Sequence, residues 1–196
     1  MSDVAAVDRY TRTAIVFHWV IAVLVVTNVF LGLTFKHWLE DYSPTVANTH
    51  KTIGITVLGL ALMRLLWRIG HRPPPFSPAI PRWQVVAARS GHALLYFMII
   101  AMPLAGWTYQ SAWEYAADNP ISVFGLFEMP LIGWVADIPS GPGKERLGEI
   151  AGKIHVWLSY LLYFLLASHL AGALKHQWID RVPTLQRMTF SGIGRK

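Results

Sequence analysis

Four blocks of apolar sequence, at residues 13–35, 48–69, 90–109 and 152–174, approach or exceed the roughly 17–25 residues a helix needs to cross about 30 Å of hydrocarbon. Lipid offers no partner for backbone N–H and C=O groups, so such blocks span as helices, each satisfying its own backbone. The predicted fold class is all-α: an integral membrane four-helix bundle that takes in residues 1–196 as a single domain. Arg64 interrupts the second block and makes it the weakest of the four. The first block carries His18 and Asn28 and has no small-residue cleavage site, so it reads as a retained helix and not as a signal peptide.

With four spans both termini share one side, and the bias of Lys and Arg between loops identifies that side. Arg9, Arg12, Arg68, Arg72, Arg82, Arg89, Lys175, Arg181, Arg187, Arg195 and Lys196 fall at the termini and the second loop, which are expected to be cytoplasmic. The outer side has Lys36, Lys51, Lys144, Arg146 and Lys153 together with most of the acids, among them Glu40, Asp41, Glu114, Glu145 and Glu149. A net charge of +6 on a soluble chain would point to nucleic acid. Here the basic residues flank apolar helices and form no stripe, so the expected partner is membrane lipid and no nucleic acid is expected.

The second loop, residues 71–89, contains Pro73, Pro74, Pro75, Pro78 and Pro81 and is expected to be an extended connector. The outer loop, residues 110–151, is the longest segment between spans. Its middle, residues 121–135, is rich in Phe, Leu, Ile and Trp, which predicts a segment lying on the membrane surface or a lid packed on the helices. Trp19, Trp38, Trp67, Trp107, Trp134, Trp157 and Trp178 mostly fall near span ends, where an amphipathic ring suits the headgroup layer.

An ionisable side chain inside a span is costly, and this chain has five histidines within spans or at their first turns: His18, His50, His92, His155 and His169. His155 and His169 share the fourth span, where a 14-residue interval falls about 40° short of four turns and covers about 21 Å. They project from nearly one face, one toward each membrane surface. Helix direction alternates, so His50 lies at the depth of His155, while His18 and His92 both lie at the depth of His169. A histidine pair at each depth fits two haem irons with both axial positions filled, which implies electron transfer and leaves no open site for oxygen or substrate. With no cysteine in the chain, disulfides, cysteine-ligated clusters and thioether-attached haem are excluded, so haem is held by coordination alone. A zinc site is disfavoured, since the levels lie too far apart to share a metal and no acid or cysteine joins either. Arg64 and Arg68 share one face of the second span and are candidates for anionic haem propionates at the inner level, with Lys51 at the outer. The positive-inside rule would also account for Arg68.

These residues fall into a set of short motifs that runs over nearly the whole chain. It comprises Phe17-His18-Trp19, His50-Lys51-Thr52-Ile53-Gly54, the run 63–68, and Gly91-His92-Ala93-Leu94-Leu95-Tyr96. It continues with Pro103-Leu104-Ala105-Gly106, Phe124-Gly125-Leu126 before Met129-Pro130, His155 with His169, and the run 184–188. The set resembles the bacterial cytochromes b561 and, more broadly, the four-helix dihaem membrane subunits of formate dehydrogenases and nickel–iron hydrogenases. The resemblance implies two haem b groups, with His18 paired to His169 and His50 to His155, in a bacterial inner (cytoplasmic) membrane. It also implies electron exchange with ubiquinone or menaquinone, and it leaves His92 as a neighbour of the haem or of the quinone. The family's C-terminal segment often has two adjacent histidines; here His176 is followed by Gln177.

Three functions are in play at this level. The first is a self-contained quinone-linked oxidoreductase that takes electrons from an outer-side donor, superoxide being one such donor in the family. The second is a membrane anchor that takes electrons from a periplasmic dehydrogenase or hydrogenase. The third is a haem-free transporter relaying protons through its histidines.

Overall fold

The computed structural model describes residues 9–34 and 43–190. Phe35, Lys36, His37, Trp38, Glu40, Asp41, Arg195 and Lys196 lie outside the described residues. Four long helices make up most of the fold: α1 (Arg12–Thr34), α2 (Ser43–Gly70), α3 (Arg82–Ala112) and α5 (Pro142–Leu174). Between α3 and α5 lie a hairpin of β1 (Ile121–Val123) and β2 (Phe127–Met129) and the single turn α4 (Gly133–Ala136).

All four long helices are apolar and long enough to cross a membrane, which gives the expected membrane four-helix bundle. Their outward faces carry exposed Val23, Val26, Phe30, Leu66, Phe97 and Phe164, the pattern a lipid-facing surface requires. Helices α1 and α2, α2 and α3, and α3 and α5 pack as neighbours. At mid-height Ile21, Val25, Ile53, Val57, Met98, Leu162 and Leu165 form the core. Lipid tails are as apolar as these side chains, so this layer is held by close packing and not by exclusion of water. Arg64 does not break α2, because its guanidinium turns inward to His18 and Tyr96.

Helices α1 and α3 begin, and α2 and α5 end, at what we call the terminal end of the bundle; the opposite end is the distal end. The terminal end is tied together by backbone and side-chain bonds. The Tyr10 N–H donates to the Arg187 carbonyl (3.3 Å), Trp19 Nε1–H to the Met188 carbonyl (2.7 Å) and Arg187 Nη2 to the Pro75 carbonyl (2.7 Å). Beyond α5 a π-helical turn, Lys175–Ile179, brings Lys175 and His176 onto one Asp180 oxygen at 2.6 and 2.7 Å.

Helices α2, α3 and α5 begin before the apolar blocks that announce them, α2 at Ser43 and not at residue 48. Helix α3 begins at Arg82, directly after Pro81, and not at residue 90, so only residues 71–81 form the extended connector. Helix α5 begins at Pro142 and not at residue 152. Hydropathy measures the hydrocarbon layer, whereas the i to i−4 ladder continues into the aqueous phase until a cap ends it; proline in the first turn and Glu145 near the helix start favour that earlier start.

The loop between α3 and α5 is ordered and packed on the helices. The hairpin pairs Ile121 with Met129 and Val123 with Phe127, and its turn closes with Leu126 N–H donating to the Val123 carbonyl at 3.0 Å. Phe124 (φ 52°) and Gly125 (φ 71°) are both left-handed, as a type I′ turn requires. Ile121, Val123 and Val135 are buried, which fastens the loop to the bundle.

Candidate functional site

One interval recurs in every long helix. His18 and Gly32 on α1, His50 and Arg64 on α2, His92 and Gly106 on α3, and His155 and His169 on α5 are each 14 residues apart. Each helix therefore turns nearly the same face inward at two depths about 21 Å apart. The distal level brings together Gly32, His50, Gly106 and His155; the terminal level brings together His18, Arg64, His92 and His169.

At the distal level the ring centres of His50 and His155 are 6.1 Å apart. His50 Nδ1–H donates to the Asn28 carbonyl (3.2 Å) and His155 Nδ1–H to the Met102 carbonyl (3.0 Å). A carbonyl can only accept, so both rings carry their proton on Nδ1 and keep Nε2 free as a ligand atom. This is the arrangement that fixes ring orientation in metal-binding histidines. Pro103 lacks the N–H that would bond the Ile99 carbonyl one turn back, so the α3 ladder has one bond fewer beside this site.

Glycines stand against both imidazoles. A Cβ on Gly32 would lie 3.3 Å from His50 Cε1, and one on Gly106 would lie 3.3 Å from both Cε1 and Nδ1 of His155. The two histidines and two glycines line a cavity of about 1590 Å³ at the distal end. Ordinary small-ligand pockets are about 300–1,000 Å³, so this one has room for a larger group. Asn28 Oδ1 is buried beside it with no hydrogen-bond partner among the described residues. Lys51 also lines the cavity, with Nζ 5.8 Å from the centre of the Trp113 ring.

The terminal level is built differently. The ring centres of His18 and His169 are 6.2 Å apart and those of His92 and His169 are 5.4 Å apart, so His169 faces both sequence candidates. Arg64 Nη1 donates to His18 Nδ1 at 3.4 Å, the reverse of the hydrogen-bond polarity at the distal level. Tyr96 lies between the two arginines: its ring centre is 5.3 Å from the Arg64 guanidinium carbon and 5.4 Å from that of Arg68. Arg68 Nη1 also donates to the Tyr96 hydroxyl at 3.3 Å. Among the described residues no Asp or Glu forms an ion pair with Arg64 or Arg68. Gln177, which follows His176, accepts the Leu185 N–H on its side-chain oxygen at 3.1 Å and so braces the C-terminal segment.

Gly32 and the carbonyls of Asn28 and Met102 are not marked by any sequence motif, and Gly106 stands in one, Pro103-Leu104-Ala105-Gly106, that assigns it no role. The two glycines carried a signal, their 14-residue distance from His18 and His92; the carbonyls carried none.

Fold and site together define an α-helical membrane protein with paired imidazoles at two depths inside the bundle. A profile described as prokaryotic cytochrome b561 matches residues 9–191, and the chain belongs to this family of haem b membrane electron-transfer proteins. Cytochrome b561 homolog 2 of Escherichia coli (strain K12) is 33% identical over 191 residues, covering 96% of this chain and 95% of that protein. Cytochrome b561 homolog 1 of the same strain is 29% identical over 184 residues, covering 92% and 97%. A protein of Yersinia pestis named probable superoxide oxidase CybB is 26% identical over 181 residues, covering 92% and 95%.

Proposed function

We propose that the chain is a dihaem cytochrome, one transmembrane domain that carries electrons from a donor at the outer, distal end to quinone near the cytoplasmic, terminal end. The observation that carries this reading is a distance. Two imidazoles on opposite sides of one metal, with metal–nitrogen bonds of about 2.0–2.1 Å, have ring centres about 6.3 Å apart. The pairs His50 with His155 and His18 with His169 stand at 6.1 and 6.2 Å. His92 and His169, at 5.4 Å, are too close to share a metal in this way, so His92 is read as a neighbour of the terminal haem and not its ligand.

His50 and His155 would hold the distal haem through Nε2, and Gly32 and Gly106 leave room for its plane. His18 and His169 would hold the terminal haem. Each level offers a pair of ligands, and among the described residues no group of three or more His, Asp or Glu is placed to hold a metal ion by itself, which suits a metal carried in a cofactor. Arg64 and Arg68 would meet the carboxylates of the terminal haem, a role that fits two half-buried cations without an acidic partner; Lys51 would serve the distal one. When bound, haem supplies reversible one-electron oxidation and reduction of its iron. With these histidines as its ligands the iron would exchange electrons and would not bind oxygen or substrate directly. The excess of arginine at the terminal end supports a cytoplasmic location for it.

Family kinship supports quinone as the acceptor, and the name of the Yersinia pestis relative supports superoxide as the donor. Superoxide gives up one electron and leaves as dioxygen, and Lys51 is a cation on the distal cavity wall that an anion would meet; Lys153 beside it is paired with Glu149 at 3.4 Å. The test is a steady enzymatic flux of superoxide supplied to the purified protein in liposomes containing ubiquinone. Haem reduction and quinol formation are expected, both suppressed by superoxide dismutase. Haem that stays oxidised under that flux while dithionite reduces it would overturn superoxide as donor.

A further inference from the structure

The loop between α3 and α5 is tied to α2 and α3 by side-chain hydrogen bonds. Asn48 and Thr52 bracket His50 on α2, and they hold both backbone groups of Ser122. Asn48 Nδ2 donates to the Ser122 carbonyl (3.1 Å), Asn48 Oδ1 accepts the Ser122 N–H (3.1 Å) and Thr52 Oγ1 donates to the same carbonyl (2.8 Å). On α3, Trp107 Nε1–H donates to the Pro130 carbonyl and Ser111 Oγ accepts the Ile132 N–H, both at 3.0 Å.

These clamps fix a depth. About 30 Å of hydrocarbon corresponds to roughly 20 helical residues. Counted from Arg68, in the last turn of α2, that length ends at Asn48; counted from Arg89 on α3, it ends at Tyr109. Ser122 and Pro130 therefore lie where hydrocarbon gives way to headgroups at the distal surface.

At that depth Ile121, Val123 and Val135 are buried, while Phe124, Leu126, Phe127 and Trp134 are 62%, 80%, 56% and 68% exposed. Four large apolar side chains, one of them the tryptophan that favours interfaces, thus continue the lipid-facing surface of the helices. Glu128 pairs with Ser122 and by strand alternation lies on the opposite face from Phe127, which shares its face with buried Val123 while remaining half-exposed at the end of the hairpin. We propose that β1, β2 and α4 form a membrane-inserted flap, with Phe124, Leu126, Phe127 and Trp134 seated in the interfacial layer of the distal leaflet. Pro120, Ile121 and Ser122 line the distal cavity, so lipid contact on the flap's outer side holds the lid over the His50 and His155 level. The inference rests on the membrane fold and not on the redox reading.

The chain has no cysteine, so single cysteines can be labelled cleanly. Leu126→Cys and Phe127→Cys would each carry an environment-sensitive nitrobenzoxadiazole probe in the haem-loaded protein, reconstituted in phosphatidylcholine and phosphatidylglycerol liposomes. Asp118→Cys, on an exposed outer turn, gives the aqueous reference, and Phe97→Cys, midway along α3, the hydrocarbon reference. Both flap labels are expected to show blue-shifted emission, protection from iodide, and stronger quenching by shallow than by deep nitroxide lipids. Flap labels quenched by iodide as strongly as the Asp118 label, and untouched by nitroxide lipids, would overturn the proposal and mark the tip as a water-facing surface for a soluble partner.

Discussion

Replacing Gly106 separates a glycine that merely sits in a helix from one that gives a metal ligand its space. Alanine at this position places Cβ 3.3 Å from both Cε1 and Nδ1 of His155. Comfortable contact begins at about 3.5–4.0 Å, so the imidazole must retreat by roughly 0.2–0.7 Å. The same Nδ1–H is bonded to the Met102 carbonyl at 3.0 Å, and a retreat of that size strains a bond worth about 0.5–1.5 kcal/mol. Against this, alanine improves the helix by about 0.5–1 kcal/mol relative to glycine. The two nearly cancel, so Gly106→Ala is expected to leave the fold's stability close to that of the parent. Haem retention should still fall about 10–100-fold, about 1.4–2.8 kcal/mol, the usual effect of disturbing what orients a ligating histidine. Gly106→Val, with two more methyl groups, should lose the distal haem. The assay is the rate and extent of haem transfer to excess apomyoglobin, followed by the difference spectrum. A Gly106→Val protein that keeps both haems with unchanged spectrum and transfer rate would refute the reasoning.

Three further outcomes are expected. His92→Ala should retain both haems, because on the proposed pairing His18 and not His92 is the partner of His169; loss of the terminal haem, counted as pyridine haemochrome, would reassign the pair. Arg64→Gln should lower the midpoint potential of the terminal haem and leave the distal one nearly unchanged, since a cation at His18 disfavours the more positive oxidised iron; potentiometric titration reads both. Asp180 is held below the ordinary carboxylate pKa, first by its hydrogen bond from Lys175 and then by that from His176. Its contribution to the C-terminal turn is therefore present above the unfolded carboxylate pKa and lost as pH falls through the lowered value. The Val182 amide, bonded to the His176 carbonyl at 2.8 Å, should lose exchange protection on acidification, and Asp180→Asn should remove that pH dependence.

What the chain reveals of itself before folding follows from which physical rule writes into sequence. Hydrocarbon thickness dictates the length of an apolar block, so the four spans are plain, and a 3.6-residue period places His155 and His169 on one face. Depth is legible in this way but azimuth is not. His18 and His92 both begin their spans at the same level, and only packing separates 6.2 Å from 5.4 Å. Gly32 and Gly106 become legible once His18 and His92 are stepped forward by 14 residues, because every helix repeats its inward face at that interval. The hairpin stays hidden, since each strand has only three residues and its left-handed turn uses Phe124 where Asn would announce it. The early starts of α3 and α5 are marked by Pro81, Pro142 and Glu145, signals that a hydropathy window passes over.

The most direct test of the two-level assignment is the haem content of the purified protein and of two variants, measured as pyridine haemochrome per polypeptide. The parent is expected to carry two haem b per chain, and His155→Ala and His169→Ala one each, with different residual reduced-minus-oxidised spectra. A parent with no b-type haem, or two variants that leave the same haem behind, would contradict the assignment.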